Sequence, residues 1–229
     1  MGKREQEQMF EKRMQSMDSW RVFRIVSEFV DGFETMTDLG PSVSVFGSAR
    51  FRKDSPYHKL AVDLGYKLAK EGFAVITGGG PGTMEAANRG AQEAKGHSCG
   101  LSVDLPYEEK PNEYIDPQYN LSFRYFFVRK VMFIRYAQGC VFLPGGYGTM
   151  DELFEALTLT QTGKVHSFPI YLLGKKYWSG LFEWIKSTVL ENGCINPEDI
   201  DRVIITDDLD EVAKGIKEHY KKQRVFKNF

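Results

Sequence analysis

No segment of the chain approaches the roughly 18 consecutive apolar residues that a membrane-crossing helix requires. The N-terminus is charged where a secretory leader would be apolar. A soluble, cytoplasmic protein without a membrane partner is therefore expected. Excess charge of one sign is missing too: 30 Lys plus Arg stand against 31 Asp plus Glu in 229 residues, so no overall field recruits nucleic acid. Cysteine is scarce. Cys99, Cys140 and Cys194 form no CxxC pair, and two of them sit in apolar strand-like runs that read as buried free thiols. The four histidines, His58, His97, His166 and His219, are scattered without ligand spacing. They read as surface or capping residues, and neither a metal nor a cofactor is expected.

Several nucleotide and nucleophile motifs are absent as well. The dinucleotide pattern GxGxxG fails twice: after Gly78 and Gly80 the third position is Thr83, and after Gly146 and Gly148 it is Asp151. No loop ends in GK[ST], which removes the main support for ATP-type phosphoryl transfer. There is no GxSxG elbow, and Ser48 in FGSAR has no recognisable base partner.

What is present is alternation. Short β-rich apolar runs, VSVF (43–46), FAVIT (73–77), CGLSV (99–103), NLSF (120–123), CVFL (140–143), PIYLL (169–173) and VIIT (203–206), alternate with helical stretches of ten or more residues. That pattern predicts an α/β, Rossmann-like, doubly wound parallel sheet covered by helices on both faces. Ser55 and Pro56 predict the start of one helix. RYFFVRKVMFIRYA (124–137) predicts another. Residues 1–40 read as a helical extension with Trp20, Phe23, Val26, Val30 and Phe33 spaced three or four apart and packed on the main domain. Residues 41–229 then form one nucleotide-binding catalytic domain, with a long loop at 104–118 that carries Tyr107 and Tyr114 as a candidate lid.

Two glycine-rich loops, GGGPG (78–82) and PGGYG (144–148), follow predicted strands and precede predicted helices. Both therefore lie at the carboxyl edge of the sheet, where such folds bind ligands. Glycines let backbone N–H groups approach an anion, and a helix N-terminus favours negative charge, so a single phosphate is the expected guest. A plainer reading stands beside this one. Thr149 and Glu152 have the T-x-x-E spacing of a capping box, in which Glu152 does no chemistry. At about 100° per residue, Met150, Leu153, Phe154, Leu157 and Gln161 fall in one stripe, expected to face the core. Glu152, Glu155 and Leu159 group opposite, on a face that the apolar Leu159 marks as a candidate subunit interface. Arg124, Arg129, Lys130 and Arg135 either snorkel from a half-buried helix or complete an anion site.

PGGYGTMDE (144–152) resembles the PGGxGTxxE signature of the LOG, or lonely guy, family of nucleotide phosphoribohydrolases, long labelled lysine decarboxylases. FFVRKVMF (126–133) is similar to that family's Arg-Lys element, and GGGPGTMEAANRGA (78–91) to its first glycine loop. FGSAR (46–50) fits the end of the first strand. The resemblance covers about residues 40–206. It implies hydrolysis of the N-glycosidic bond of a nucleoside 5′-monophosphate, either AMP-like or a cytokinin riboside monophosphate, by a homodimer or higher homo-oligomer that needs no cofactor. It also implies that Gly145, Gly146, Gly148 and Thr149 hold the phosphate and that Glu152 and Arg129 are the essential pair. Gly79, Gly80, Gly82, Thr83, Glu85 and Lys130 then complete the substrate site. Bacterial relatives with a similar GGGPG-x-MEA loop are often labelled AMP nucleosidases, which favours that type. The alternative is a carrier that binds a nucleotide or molybdenum cofactor without hydrolysing it. A pyridoxal-phosphate lysine decarboxylase has little support, since no lysine sits where a Schiff base is evident.

Overall fold

The computed structural model describes residues 3–104 and 110–223. Seven strands form one sheet: β1 (Ser42–Phe46), β2 (Ala74–Thr77), β3 (Ser98–Val103), β4 (Asn120–Phe123), β5 (Ala137–Phe142), β6 (Ile170–Leu173) and β7 (Val203–Thr206). Their order is β4-β3-β2-β1-β5-β6-β7, and every pairing is parallel. Each of the seven apolar runs is thus a strand, and the doubly wound α/β fold expected from their alternation is the fold observed. Chain direction across the sheet reverses at β1, which pairs with both β2 and β5, leaving a crevice beyond its carboxyl end.

The helices are α1 (Lys3–Thr37), α2 (Pro56–Lys70), α3 (Thr83–Glu93), α4 (Phe126–Tyr136), α5 (Tyr147–Gln161), α6 (Lys175–Trp184), α7 (Pro197–Ile200) and α8 (Leu209–Gln223). A π-helical turn at Ile185–Leu190 extends α6. Because successive strand side chains point to opposite faces, the chain builds two cores. Val43, Val45, Val75 and Val141 join Leu64, Ala87 and Ile216 under α2, α3 and α8. Phe46, Ile76, Leu101 and Phe142 join Met132, Phe133, Leu153 and Trp178 on the other face. Each fully buried aliphatic or aromatic side chain contributes about 1.5–3 kcal/mol.

Helix α2 begins as expected, with Ser55 Oγ accepting from the Tyr57 N–H and Pro56 at the first helical position. It crosses α3 at very short range. A Cβ on Gly65 would lie 2.1 Å from the Ala87 carbonyl oxygen, and one on Gly90 would lie 2.0 Å from that of Val62. Helix α4 runs into β5 without a linker, and its last carbonyls are taken up from β1: the hydroxyls of Ser42 and Ser44 donate to Tyr136 O and Phe133 O, each at 2.8 Å.

Helix α1 also fixes α4. The Glu28 carboxylate accepts from the Arg124 and Tyr125 N–H groups at 3.1 and 3.2 Å. Gly32 lies against Met132, and the Arg135 guanidinium lies 5.0 Å from the centre of the Phe33 ring. The packed line of α1 is Ile25, Phe29, Phe33 and Met36, whereas Trp20, Phe23, Val26 and Val30 are exposed. The expected apolar stripe therefore docks only along its Phe33 edge. Spacing reports that a helix is amphipathic, not which neighbour covers it. No described helix is long and apolar enough to cross a membrane.

Candidate active site

A cavity of about 750 Å³ opens at the switch point, within the range of roughly 300–1,000 Å³ usual for small-molecule sites. The end of β1 supplies Gly47, Ser48 and Arg50, and the start of α5 supplies Gly145, Gly146, Gly148, Thr149 and Glu152. Helix α4 supplies Phe126, Arg129 and Phe133. The backbone of Ser48 joins the two glycine loops: its N–H donates to Pro144 O at 3.1 Å, and its carbonyl accepts from the Thr83 N–H at 3.0 Å. Sequence-distant loops meet because β1 lies between the strands that carry them.

The glycines of the second loop differ in purpose. A side chain on Gly145 would strike Thr149, with Oγ1 only 2.0 Å away, so this glycine serves packing. A Cβ on Gly146 or Gly148 would meet nothing within 4 Å; neither has a local packing reason, and both face the cavity. They leave open the approach to the first turn of α5, whose N–H groups lack helical partners. The N-cap is Gly146, with no side-chain cap. Thr149 therefore sits inside the first turn rather than opening the helix, and the capping-box reading of Thr149 and Glu152 is set aside.

Glu152 points inward. The buried residues of α5 are Thr149, Glu152, Leu153, Ala156 and Thr160, whereas Phe154, expected in the core stripe, is exposed. Leu153 and Leu157 of the expected stripe do meet the core, but Glu152 and Phe154 are exchanged, because the inner surface at this end of the sheet opens into the cavity. Leu159 packs on the same core from its edge, so intramolecular contact accounts for it. The Glu152 and Arg129 side chains are 6% and 14% exposed, with Oε1 and Nη2 3.9 Å apart. Phe126 and Phe133 hold the guanidinium at 4.9 and 5.6 Å from their ring centres. Among the described residues Glu152 Oε2 has no hydrogen-bond partner. Burial pushes this carboxyl up from an ordinary 4.5 to about 7, against the pull of Lys130 and Arg129. A carboxyl so placed titrates where acid–base chemistry at neutral pH needs it.

The remaining expected site residues lie elsewhere. Lys130 sits between Asp151 (2.8 Å) and Glu155 (2.7 Å), tying α4 to α5. Burial alone would lower its pKa, but the two carboxylates outweigh it and hold the ammonium form. Schiff-base formation requires the neutral amine, and no described lysine lines the cavity. From the first loop, Gly78 and Met84 reach the cavity wall, whereas Gly79, Gly80, Gly82 and Thr83 form the turn behind it. Gly79 and Gly82 have φ of +77° and +68°, which favours glycine, and the Thr83 side chain is fully buried. Glu85 pairs with Lys53 at 3.0 Å. Asn112, in the candidate lid, donates to Gly79 O, Gly80 O and Asn88 Oδ1, so the loop around Tyr114 is docked on the first glycine loop. Tyr107 lies outside the described residues. His58, expected at the surface, is buried, with Nε2 unpartnered among the described residues and its pKa lowered by that burial.

Arg50, Phe126 and Tyr177 are wall residues that the motifs did not single out. The signal for Arg50 was its place one turn beyond the first strand, in FGSAR. Tyr177 has no such signal: it arrives from α6, and its hydroxyl donates to Gly145 O.

A family model described as "Possible lysine decarboxylase" matches residues 84–216. Cytokinin riboside 5′-monophosphate phosphoribohydrolase LOG3 of Arabidopsis thaliana is 28% identical over 181 residues, spanning 77% of this chain and 82% of that protein. Its counterpart LOG of Oryza sativa subsp. japonica is 34% identical over 163 residues, spanning 70% of this chain and 65% of that protein. Among solved structures, the molybdenum cofactor carrier protein of Chlamydomonas reinhardtii aligns with a TM-score of 0.54 at 21% identity, over 79% of this chain and 99% of that one. At that identity the likeness concerns the fold.

Proposed function

The chain belongs to the LOG family of nucleotide phosphoribohydrolases, and from that premise we propose that it hydrolyses the N-glycosidic bond of a purine nucleoside 5′-monophosphate of AMP or cytokinin riboside type. The products are the free base and ribose 5-phosphate. The observation that carries this reading is Glu152, a buried carboxyl beside Arg129, on the wall of a cavity whose rim is the glycine-lined N-terminus of α5.

The 5′-phosphate is assigned to the first turn of α5, at Gly145, Gly146, Gly148 and Thr149, where unpaired N–H groups and the helix dipole favour an anion. Arg50 adds a cation at the rim. The first glycine loop, with Gly79, Gly80, Gly82, Thr83 and Glu85, supports the opposite wall through its bond to Ser48. Anchoring the phosphate converts remote binding energy into orientation of the ribose against Glu152. As the C1′–N bond lengthens, positive charge develops on the ribosyl group, and the carboxylate stabilises it. Water then adds at C1′, and its proton leaves by way of Glu152 to the departing base. Arg129, held between two rings, orients Glu152 and favours its ionised form.

The test is direct. Purified protein is incubated with a panel of nucleoside monophosphates, and free base and ribose 5-phosphate are quantified by chromatography. Release from at least one purine nucleotide is expected. Binding without release from any of them would replace the hydrolase with a nucleotide carrier.

A further inference from the structure

The loop at 110–116 is held at two separate places. At its far end Asp116 Oδ2 accepts from the Ser98 N–H at 3.1 Å and lies 3.3 Å from His97 Nδ1, which fastens the loop to the start of β3. At its near end Asn112 reaches the first glycine loop. Its Oδ1 accepts from the Tyr114 N–H at 3.1 Å, and that contact fixes which way the amide faces. Nδ2 then donates to Gly79 O at 3.0 Å, Gly80 O at 3.2 Å and Asn88 Oδ1 at 3.0 Å, so two amide hydrogens are shared among three acceptors. The network continues inward through fully buried side chains: Thr77 Oγ1 donates to Asn88 Oδ1 at 2.6 Å and accepts from the Gly79 N–H at 3.0 Å. Gly79 is thus gripped on its N–H by Thr77 and on its carbonyl by Asn112.

What the glycine loop holds in turn is the cavity wall. Met84 lies across it: a Cβ on Gly78 would be 2.7 Å from Met84 Sδ, and one on Gly80 would be 2.8 Å from Met84 Cε. The same Cβ on Gly78 would lie 3.8 Å from Arg129 Nη1. Gly78, Met84 and Arg129 all line the cavity. On the hydrolase reading above, on which this rests, the phosphate sits at the first turn of α5 and C1′ against Glu152. The base is then left with the apolar wall of Met84, Val103 and Phe126. We propose that Asn112 is a positioning residue for the reaction: through the Gly79 and Gly80 carbonyls it seats Met84 against the base and Gly78 beside Arg129. Aspartate cannot take its place, because an ionised carboxylate only accepts and would face two carbonyl oxygens.

The full-length protein is assayed with AMP and CMP, and with ribose 5-phosphate as a competing product that fills the phosphate and ribose positions but carries no base. Asn112→Asp keeps the side chain's shape and removes its donors. It is expected to lower kcat/KM for AMP by on the order of 10², the scale of a misplaced reacting group, and to reduce the preference for AMP over CMP, while ribose 5-phosphate inhibits as before. Asp116→Ala loosens the same loop without touching the glycine loop; it is expected to lower Tm and to leave turnover and base preference unchanged. Met84→Ala should reproduce the lost preference with the loop intact. The proposal is overturned if folded Asn112→Asp keeps wild-type kcat/KM, if ribose 5-phosphate inhibition weakens in step with turnover, or if Asp116→Ala gives the same loss. Should Asn112→Asp not fold, Asn112→Ser is read in its place, and unchanged base preference in Met84→Ala overturns the proposal by itself. A wild type that hydrolyses no nucleotide removes the hydrolase and this positioning role together, whereas an active wild type matched by Asn112→Asp removes the positioning role alone.

Discussion

Glu152 is where cost and use meet. A carboxyl raised from 4.5 to about 7 by burial holds a proton in the folded state that the unfolded chain releases between those values. Its contribution to stability is therefore present below about 4.5 and lost as pH rises through about 7, a difference on the order of 3 kcal/mol. Glu152→Gln removes that loss. The variant should melt above the wild type at alkaline pH and near it in acid, while turnover falls by at least about 10³, the scale of a lost transition-state electrostatic partner. Wild-type turnover in the folded variant would reduce Glu152 to a structural role. For the wild type, kcat/KM should rise with pH through an inflection near 7 as the carboxylate forms, since that parameter reports the free enzyme; a flat profile would contradict the assignment. Arg50→Gln should act differently, raising KM about tenfold, or ~1.4 kcal/mol, with kcat nearly unchanged and poorer discrimination between AMP and adenosine. A fall in kcat with KM untouched would place Arg50 outside phosphate binding. These residues were unequally legible. Glycine spacing pointed to the loops that line the cavity, but the orientation of Glu152 was hidden because T-x-x-E fits a cap as well as a cavity wall.

Among elements, the strands were the legible part: each is a short β-rich run bounded by turn residues, and in the five inner strands burial on both faces keeps that run apolar. The helices show where pattern reading stops. Helix α5 was oriented by its apolar residues, yet its inner side at the sheet edge is polar, so Glu152 and Phe154 exchanged faces relative to expectation. Helices α2 and α3 carry an interaction that no periodicity reveals, the backbone-to-backbone crossing at Gly65 and Gly90. Gly65→Ala would drive a Cβ to 2.1 Å from Ala87 O, and overpacking of that kind costs about 1–3 kcal/mol. At about 2–4 °C per kcal/mol for a chain of this size, Tm should drop by roughly 2–12 °C. kcat/KM should fall with it, because α3 carries Thr83 and hence the first loop's bond to Ser48. Gly180→Ala in α6 is the control: nothing lies within 4 Å of the added Cβ, so helix propensity alone should stabilise by about 0.5–1 kcal/mol. Equal effects of the two substitutions in a thermal melt would refute the steric account of the crossing.

At the scale of the molecule, the switch point is set by strand order, and the proposed catalytic pair depends on a helix that lies outside the glycine motifs. Alternation in the sequence specifies a parallel sheet but not which strand is central; that follows from β1 pairing with both β2 and β5. Helix α1 then completes the face over α4. With the turn that follows it, this segment supplies Met36 and Leu39, buried at 0% and 3%, along with the edges of Phe29 and Phe33 and the Glu28 carboxylate at the start of α4. At about 1.5–3 kcal/mol per buried side chain, the two fully buried residues alone account for roughly 3–6 kcal/mol, set against a total stability of about 5–15 kcal/mol. Removing residues 1–40 should therefore do more than shorten the chain. Met132 would lose its cover, the N–H groups of Arg124 and Tyr125 would lose Glu28, and Arg129 would lose the rigid helix that aims it at Glu152. The expected outcome is a sharply lowered or absent cooperative melt, dye-accessible apolar surface and lost nucleotide hydrolysis, read by calorimetry, fluorescence and product release. A truncated chain that melted at the wild-type temperature with full turnover would show that α1 is an appendage and that the sheet with its other helices is sufficient to hold the active site.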